Sequence, residues 1–181
     1  MPFAHDTEAS LLAAVALVNS AVEPDTLTSL AELDAFYRDH AYTGARAHDR
    51  AELEEVRALR APLRALLTSS RDDAVPLVNR MLAETRAVPQ LVRHDGEDWH
   101  LHATGSAAPF ATRIAVETAM AMVDVIRTDE MSRLGVCADP TCDGLVLDLS
   151  RNRSRRFCST ACGNRNAVAA YRARQDAERP S

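Results

Sequence analysis

All four cysteines of this chain lie in one C-terminal stretch, between Cys137 and Cys162. Their spacing is C-x4-C, then a fifteen-residue insert, then C-x3-C. Two close pairs separated in this way are typical of a tetrahedral zinc site, in which each pair supplies two thiolates from one tight turn. An iron–sulfur or redox site and a set of unligated buried thiols are the alternatives, although iron–sulfur clusters usually use other spacings. We therefore predict a zinc ion, with these ligands: Cys137, Cys142, Cys158 and Cys162.

The predicted zinc is structural, because four protein thiolates leave no open coordination position for water or substrate. A module of this size has little apolar core, so metal binding is expected to supply most of its folding free energy, on the order of 10 kcal/mol or more. We expect residues 145–149 and 155–157 to form the two strands of a hairpin between the cysteine pairs. A helix is expected from Ser159, its N-cap, with Gly163 letting its backbone approach the metal loop.

The preceding residues have the apolar periodicity of helices. The pattern predicts a first helix around residues 11–18 and a second that starts at Pro24 and Asp25. A third helix is expected after Asp49, its cap, and Pro62 should kink or split it. A fourth helix is expected over residues 74–87.

The pattern then changes to alternation around Asp95-Gly96, which predicts a β-hairpin. A long helix is expected over residues 108–134, with Gly135 as its stop. The predicted fold class is mainly α (α+β). A helical N-terminal domain with one β-hairpin spans residues 1–134, and a small zinc-binding module of β-hairpin and helix spans residues 135–181. Aromatic residues make up only 4% of the chain, so the core is expected to consist mostly of Leu, Val, Ala and Met.

The charge is distributed unevenly along the chain. Residues 1–136 carry 13 arginines against 21 acidic residues, and residues 137–181 carry 8 arginines against 5 acidic residues. An acidic chain with a basic end favours a polyanion as the partner of that end. A solvated surface with accidental clustering is the alternative explanation.

Seven arginines and no acidic residue lie between residues 149 and 174. The planar guanidinium of arginine suits phosphate, because it can form two parallel hydrogen bonds. Arg151, Arg153 and Arg155 alternate and share a face if the segment is extended, while Arg165 and Arg172 share one side of a helix. Arg165 has a second interpretation, as a brace for the metal loop. The candidate nucleic-acid-binding residues are Arg151, Arg153, Arg155, Arg156, Arg165, Arg172 and Arg174.

Residues 136–174 resemble the CGNR-type zinc finger family. The motif that names the family stands intact at residues 162–165, after "DLSRNRSRRFCS" and before "AVAAYRAR". Proteins with this finger usually carry an upstream helical ABATE domain, and the segment "ALVNSAVEPDTLTSLAELDAFYRDH" is similar to its beginning. Asn19 stands in the matching place, although Ser20 replaces the usual threonine. The resemblance implies a bacterial transcription regulator, linked to stress, whose finger binds DNA.

We consider three functions. The first is a regulator with a sensing or dimerising helical domain and a DNA-binding finger, which could involve a homodimer and a small-molecule effector. The second is a protein- or RNA-interaction module stabilised by zinc. The third is a small-molecule-binding or enzymatic helical domain with the zinc module as a cap. DNA binding by one finger is expected to be modest and salt-sensitive.

No catalytic residue is predicted, because the sequence has no nucleophile elbow and no phosphate-binding loop. His94, His100 and His102 cluster on the predicted hairpin, where they indicate either a metal or proton site or simply a polar face. His5, His40 and His48 lack the spacing of metal ligands. The first apolar run is short and follows acidic rather than basic residues, which argues against a signal peptide and a membrane span. We therefore expect a cytoplasmic protein with reduced thiols.

Overall fold

The computed structural model describes residues 3–93 and 99–177, apart from the side chain of Asp176. The helices are α1 (His5–Asn19), α2 (Leu30–Asp39), α3 (Arg50–Ala58), α4 (Arg60–Leu67), α5 (Arg71–Glu84), α6 (Phe110–Arg127) and α7 (Thr160–Ala177). The strands are β1 (Gln90–Val92), β2 (His100–His102), β3 (Leu134–Val136) and β4 (Leu145–Leu147), with a short 3-10 helix, Met131–Arg133, before β3. The predicted fold class is confirmed.

The hydrophobic core is centred on α1 and α6, which pack against each other; α4 also packs on α1, and α5 on α6. Leu11 and Leu17 of α1 and Ile114 and Met122 of α6 are completely buried. Each such side chain stabilises the fold by about 1.5–3 kcal/mol. Ala14 of α1 and Ala119 of α6 are also completely buried. No helix among the described residues is long and apolar enough to cross a bilayer.

The second helix begins later than the sequence predicted. It starts at Leu30, where Ser29 accepts from the backbone N–H of Glu32 and the Glu32 carboxylate accepts from the N–H of Ser29. This capping box satisfies two backbone donors that a helix leaves unpaired at its start. The predicted start at Pro24 and Asp25 is therefore wrong, and Asp25 instead forms an ion pair described below.

The predicted third helix is split, as its proline indicated. Asp49 caps α3 by accepting from the N–H of Glu52, and α3 ends at Ala58. The second half, α4, starts one residue after Leu59. Pro62 lies in the first turn of α4, where its missing N–H leaves no helical hydrogen bond unmade.

The long sixth helix ends seven residues earlier than predicted. Asp129 has a φ of 58°, and the N–H of Glu130 donates to the carbonyl of Val125. This is a Schellman motif, which usually has glycine at the left-handed position. Gly135, the predicted stop, lies inside β3 instead. Non-glycine residues end α2 and α5 in the same way, at Ala41 and Arg86.

Both hairpins are antiparallel, and one pairs differently from the prediction. β1 pairs with β2 as expected, while the predicted Asp95-Gly96 turn lies outside the described residues. β4 pairs with β3, which precedes the first cysteine, and not with residues 155–157. Asp148 accepts from the N–H groups of Ser150 and Arg155, and this closes a compact loop. After this loop the chain runs back toward the first cysteine pair, where the N–H of Ala138 donates to the carbonyl of Arg156.

Strand β4 joins the C-terminal module to the helical core. The Asn19 side chain donates to the carbonyl of Leu145 at 2.9 Å and accepts from its N–H at 2.6 Å. Leu145 and Leu147 are buried in the same core as α1 and α6. Arg64 of α4 donates to the carbonyl of Asp143 at 2.6 Å. The last turn of α1 therefore acts as a pairing partner for β4.

We predict that Asn19→Asp weakens this junction. The aspartate keeps the acceptor for Leu145 N–H but loses the donor and places a negative charge beside a carbonyl oxygen. The expected loss in free energy of unfolding is about 1–3 kcal/mol, measured by urea denaturation at neutral pH. Asn79→Asp is the matched control, because Asn79 is exposed on α5. Equal stability of the two variants would contradict the role of Asn19.

We predict a second stability effect from Asp25, which forms a two-pronged ion pair with Arg60 at 2.8 and 2.9 Å. The hydrogen bonds from Arg60 lower the pKa of Asp25 from 3.8 to about 2. A carboxyl group whose pKa is lower in the folded protein than in the unfolded chain stabilises the fold at pH values above the unfolded pKa. This stabilisation is lost as the pH falls from near 4 through 2. The difference in free energy of unfolding between the wild type and Asp25→Asn should therefore shrink over that range. Urea titrations at several pH values measure it.

Asp72→Asn is the control for this experiment, since Asp72 is exposed and forms no ion pair within the described residues. The ion-pair explanation would be contradicted if the wild type and Asp25→Asn differed in free energy of unfolding by the same amount at pH 5 and at pH 2.

Candidate metal centre and arginine surface

The four cysteine sulfurs lie together at one end of the β3–β4 hairpin. The Sγ of Cys158 is 3.5 Å from the Sγ of Cys142 and 3.6 Å from that of Cys162. All four sulfurs lie within 4.8 Å of one another, and all are free thiols. Tetrahedral zinc with bonds of about 2.3 Å places its sulfurs about 3.8 Å apart. The cluster therefore has the spacing that a zinc ion requires.

Electrostatics favours a cation at this position. Burial raises the pKa of the Cys158 thiol to about 12, and the neighbouring thiols add to the shift. A hydrogen bond with the Ser159 hydroxyl lowers the pKa of Cys162. Four crowded thiols cannot all ionise without a counter-charge, and a divalent cation supplies it. Among the described residues, no other group of three or more His, Cys, Asp or Glu side chains is arranged to hold a metal.

Gly144, which no sequence motif indicated, makes room for the sulfurs. A Cβ on Gly144 would lie 2.9 Å from the Sγ of Cys158 and 3.3 Å from that of Cys142. Its backbone N–H also donates to the Sγ of Cys142 at 3.4 Å. Gly163, in contrast, has space for a methyl group, since a Cβ there would meet only Phe157 at 3.6 Å. The prediction that Gly163 is needed for close approach is wrong.

Arg165 connects the two cysteine pairs. It donates to the Sγ of Cys162 at 3.1 Å and forms an ion pair at 2.7 Å with Asp139, which lies between the first two cysteines. Asp139 is buried, and hydrogen bonds from Thr141 and then from Arg165 lower its pKa to about 2. The structure therefore matches the second interpretation of Arg165, as a brace, with a carboxylate and a sulfur as its partners. Contacts of this kind orient metal ligands from outside the coordination sphere.

The three alternating arginines do not share an extended face. Arg153 has a φ of 48° and forms an ion pair with Glu130 at 2.8 Å. Arg155 donates to the carbonyl oxygens of Phe157 and Cys158. Arg151 lies at the exposed tip of the loop, without a hydrogen bond or ion pair to any described residue. The prediction of one shared face is wrong because a left-handed residue sits in the middle of the segment.

The remaining arginines are exposed around α7. Arg156 lies 5.8 Å from the ring centre of Phe157, while Arg172 and Arg174 are exposed on the helix and have no partner among the described residues. From residue 167 to residue 175 every position of α7 is exposed. A helix with no buried face is stabilised only by its own turns unless a partner covers it.

The histidines of the first hairpin lie next to others that the sequence did not connect with them. His94 lies outside the described residues. The rings of His100 and His102 are 4.9 Å apart, and both border a cavity that His5 and His40 also line. No sequence spacing indicated this grouping, because helix packing brings the four residues together.

Two family models match the chain. Residues 133–175 match the family described as "CGNR zinc finger", and residues 12–129 match the ABATE family, described as "Putative stress-induced transcription regulator". No curated protein matches the chain. Both matches agree with the resemblance noted from the sequence, and the division at residues 134 and 135 stays a prediction. The chain thus belongs to the ABATE family and carries a C-terminal CGNR zinc finger, whose four cysteines are close enough together to hold a zinc ion.

Proposed function

We propose that this protein is a transcription regulator that binds DNA through its zinc finger. The observation that carries the proposal is α7, a helix of 18 residues that bears arginines and is exposed on all sides over its second half. A helix about 10–12 Å across fits the major groove of DNA. Such a role belongs in the cytoplasm, where thiols stay reduced and available to zinc.

The loop before α7 extends the same basic surface. Arg155 and Arg156 border an open groove that also contains Ser159 and Thr160, at the start of α7. Backbone N–H groups at a helix start favour a phosphate, and arginine forks add charge-assisted hydrogen bonds. Arg151 stands on the neighbouring loop. A phosphate group in this groove would contact Arg155, Arg156 and the start of α7.

Five of the seven candidate arginines divide into two kinds. Arg153 and Arg165 already hold Glu130 and Asp139, so we expect their loss to disturb the fold of the finger more than its DNA contacts. Arg151, Arg172 and Arg174 have no such partner within the described part of the chain. We expect these three to contribute phosphate contacts directly.

A protein partner is the second candidate for this helix. Val168 and Tyr171 are large apolar residues that α7 leaves about half exposed, and residues three apart lie on one helix face. A second copy of the chain or another protein could cover them. Under the first proposal, the helical domain senses an effector or brings two copies of the chain together. Dimerisation would strengthen the modest DNA binding of one finger.

We predict that the purified protein contains one structural zinc, held by Cys137, Cys142, Cys158 and Cys162. Cys142→Ser and Cys158→Ser should each lose stoichiometric zinc, since serine is a poor zinc ligand at neutral pH. Removing zinc with a chelator should lower the melting temperature. Metal analysis by mass spectrometry and thermal denaturation measure both effects.

Asp143→Asn is the control for the zinc experiment, because Asp143 lies in the same loop and contributes only its backbone carbonyl to a described contact. Purified protein with almost no zinc, or with iron in its place, would contradict the assignment.

We predict that Arg151→Ala, Arg172→Ala and Arg174→Ala, combined in one protein, weaken DNA binding. Fluorescence anisotropy with fragments of the source genome, from about 50 to 200 mM salt, measures the affinity and its salt dependence. The slope of log affinity against log salt should decrease by about 0.9 for each phosphate that the variant no longer neutralises. Circular dichroism and zinc content check that the finger is intact.

The matched control replaces Arg38, Arg80 and Arg127, which are exposed on the helical domain and unpaired among the described residues. It changes the net charge equally, so a similar loss of affinity in both proteins would show a general charge effect. No binding at low salt would exclude the DNA proposal. A nuclease-resistant protein complex that Val168→Asp and Tyr171→Asp disrupt would favour the second candidate.

A further inference from the structure

The helical domain contains a cavity far in sequence from the cysteines. It has a volume of about 330 Å³, within the range of small-molecule sites. Its walls come from the first turns of α1, from the segment after α2, from β2 and from the middle of α6. Residues from four separate parts of the chain therefore converge on one space.

The cavity walls contain four histidines and two carboxylic acids. Asp6 and Glu117 line the cavity, and no described arginine does; the chain contains no lysine. Asp6 accepts from the backbone N–H groups of Thr7 and Leu101. Glu117 has no hydrogen bond or ion pair with any described residue. An anionic ligand would therefore meet carboxylates without a guanidinium or ammonium to receive it.

Glu117 is largely buried, and burial without a partner is costly for a carboxylate. This burial raises its pKa to about 7, although the charge of Arg113 acts in the opposite direction. Arg113 does not pair with Glu117, and its guanidinium donates instead to the carbonyl oxygens of Ala45 and Ala108. The negative charge of Glu117 therefore lacks a close counter-charge from the protein.

Tyr42 supplies an independent observation on the same wall. Only 8% of this residue is exposed, and it lines the cavity. Its hydroxyl is the one buried side-chain oxygen or nitrogen within the described residues that has no hydrogen-bond partner. Buried hydroxyl groups normally have partners, and an unpaired one costs about 1–3 kcal/mol. Its pKa is raised by burial and then by the charge of Glu117, which links the two groups.

The histidines in the cavity walls do not form a metal-binding group among the described residues. Burial lowers the pKa of His40, which favours the neutral form of its ring. His5, His100 and His102 also line the walls. Within the described residues, only the four cysteines bring metal-ligating atoms close enough together for one ion.

We propose that this cavity binds a small organic ammonium ion, with the Glu117 carboxylate as its counter-charge and the Tyr42 hydroxyl as a hydrogen-bonding partner. An ammonium group carries three donors and a positive charge, so it can satisfy both unpaired groups at once. This site goes beyond DNA binding and does not rest on it.

Titration calorimetry of the zinc-loaded, full-length protein tests the proposal, with n-butylammonium and putrescine as probes. Their uncharged and anionic counterparts, n-butanol and butyrate, should not bind measurably. Glu117→Gln removes the charge at constant shape and should weaken the binding of n-butylammonium about tenfold or more. Tyr42→Phe should weaken it severalfold. Glu84→Gln is the matched control, since Glu84 is exposed on α5 and should leave binding unchanged.

Thermal denaturation keeps the test interpretable, because Glu117→Gln removes a buried charge and should not lower the melting temperature. Absence of saturable binding by both cations would overturn the proposal. Equal affinities for butyrate and n-butylammonium, or unchanged binding by Glu117→Gln, would also overturn it. Displacement of n-butylammonium by added Zn²⁺ from a second site would show a metal site instead. These outcomes can be interpreted whether or not the protein binds DNA.

Discussion

The paired hydrogen bonds between the Asn19 side chain and the Leu145 backbone determine where the zinc finger sits. The Asn19 side chain pairs with the Leu145 backbone as a neighbouring strand would, so the end of α1 lies beside β4 at the edge of the main core. Leu145 and Leu147 then add apolar burial in that same core. A finger with little core of its own gains stability from the helical domain, and its orientation becomes fixed with it.

The thiols depend on this anchor because β4 begins three residues after Cys142. The intervening Gly144 must approach two sulfurs too closely for any side chain. On the opposite side, Asp139 and Arg165 tie the first cysteine loop to the start of α7. Strand β4, Gly144 and the Asp139–Arg165 ion pair already position the four cysteines, and zinc would bind between them. This division explains why Arg165 belongs to the metal centre, although its charge alone suggested a phosphate contact.

Local sequence patterns predicted the features that depend on neighbouring residues. The cysteine spacing, the cap at Asp49 and the break near Pro62 are of this kind, since each follows from residues a few positions apart. The ends of the helices were less predictable, because Ala41, Arg86 and Asp129 take the left-handed position that glycine usually occupies. The partner of β4 was not predicted, and neither was the grouping of His5 and His40 with His100 and His102, because long-range packing brings these residues together. Asn19 was noted only as part of a family resemblance, and its contact lies 126 residues away.

Helix α1 is the element that the two halves of the molecule share. Its first turns contribute His5 and Asp6 to the cavity, and its last residue holds β4 of the zinc finger. Helix α1 packs against α6 and also contacts β4, so a shift of α1 along α6 would reach β4. A ligand that changes the spacing of α1 and α6 at Glu117 would therefore act on the strand that positions the cysteines. The cavity and the zinc finger would then be coupled if the ligand bound more tightly with α1 in one position than in another.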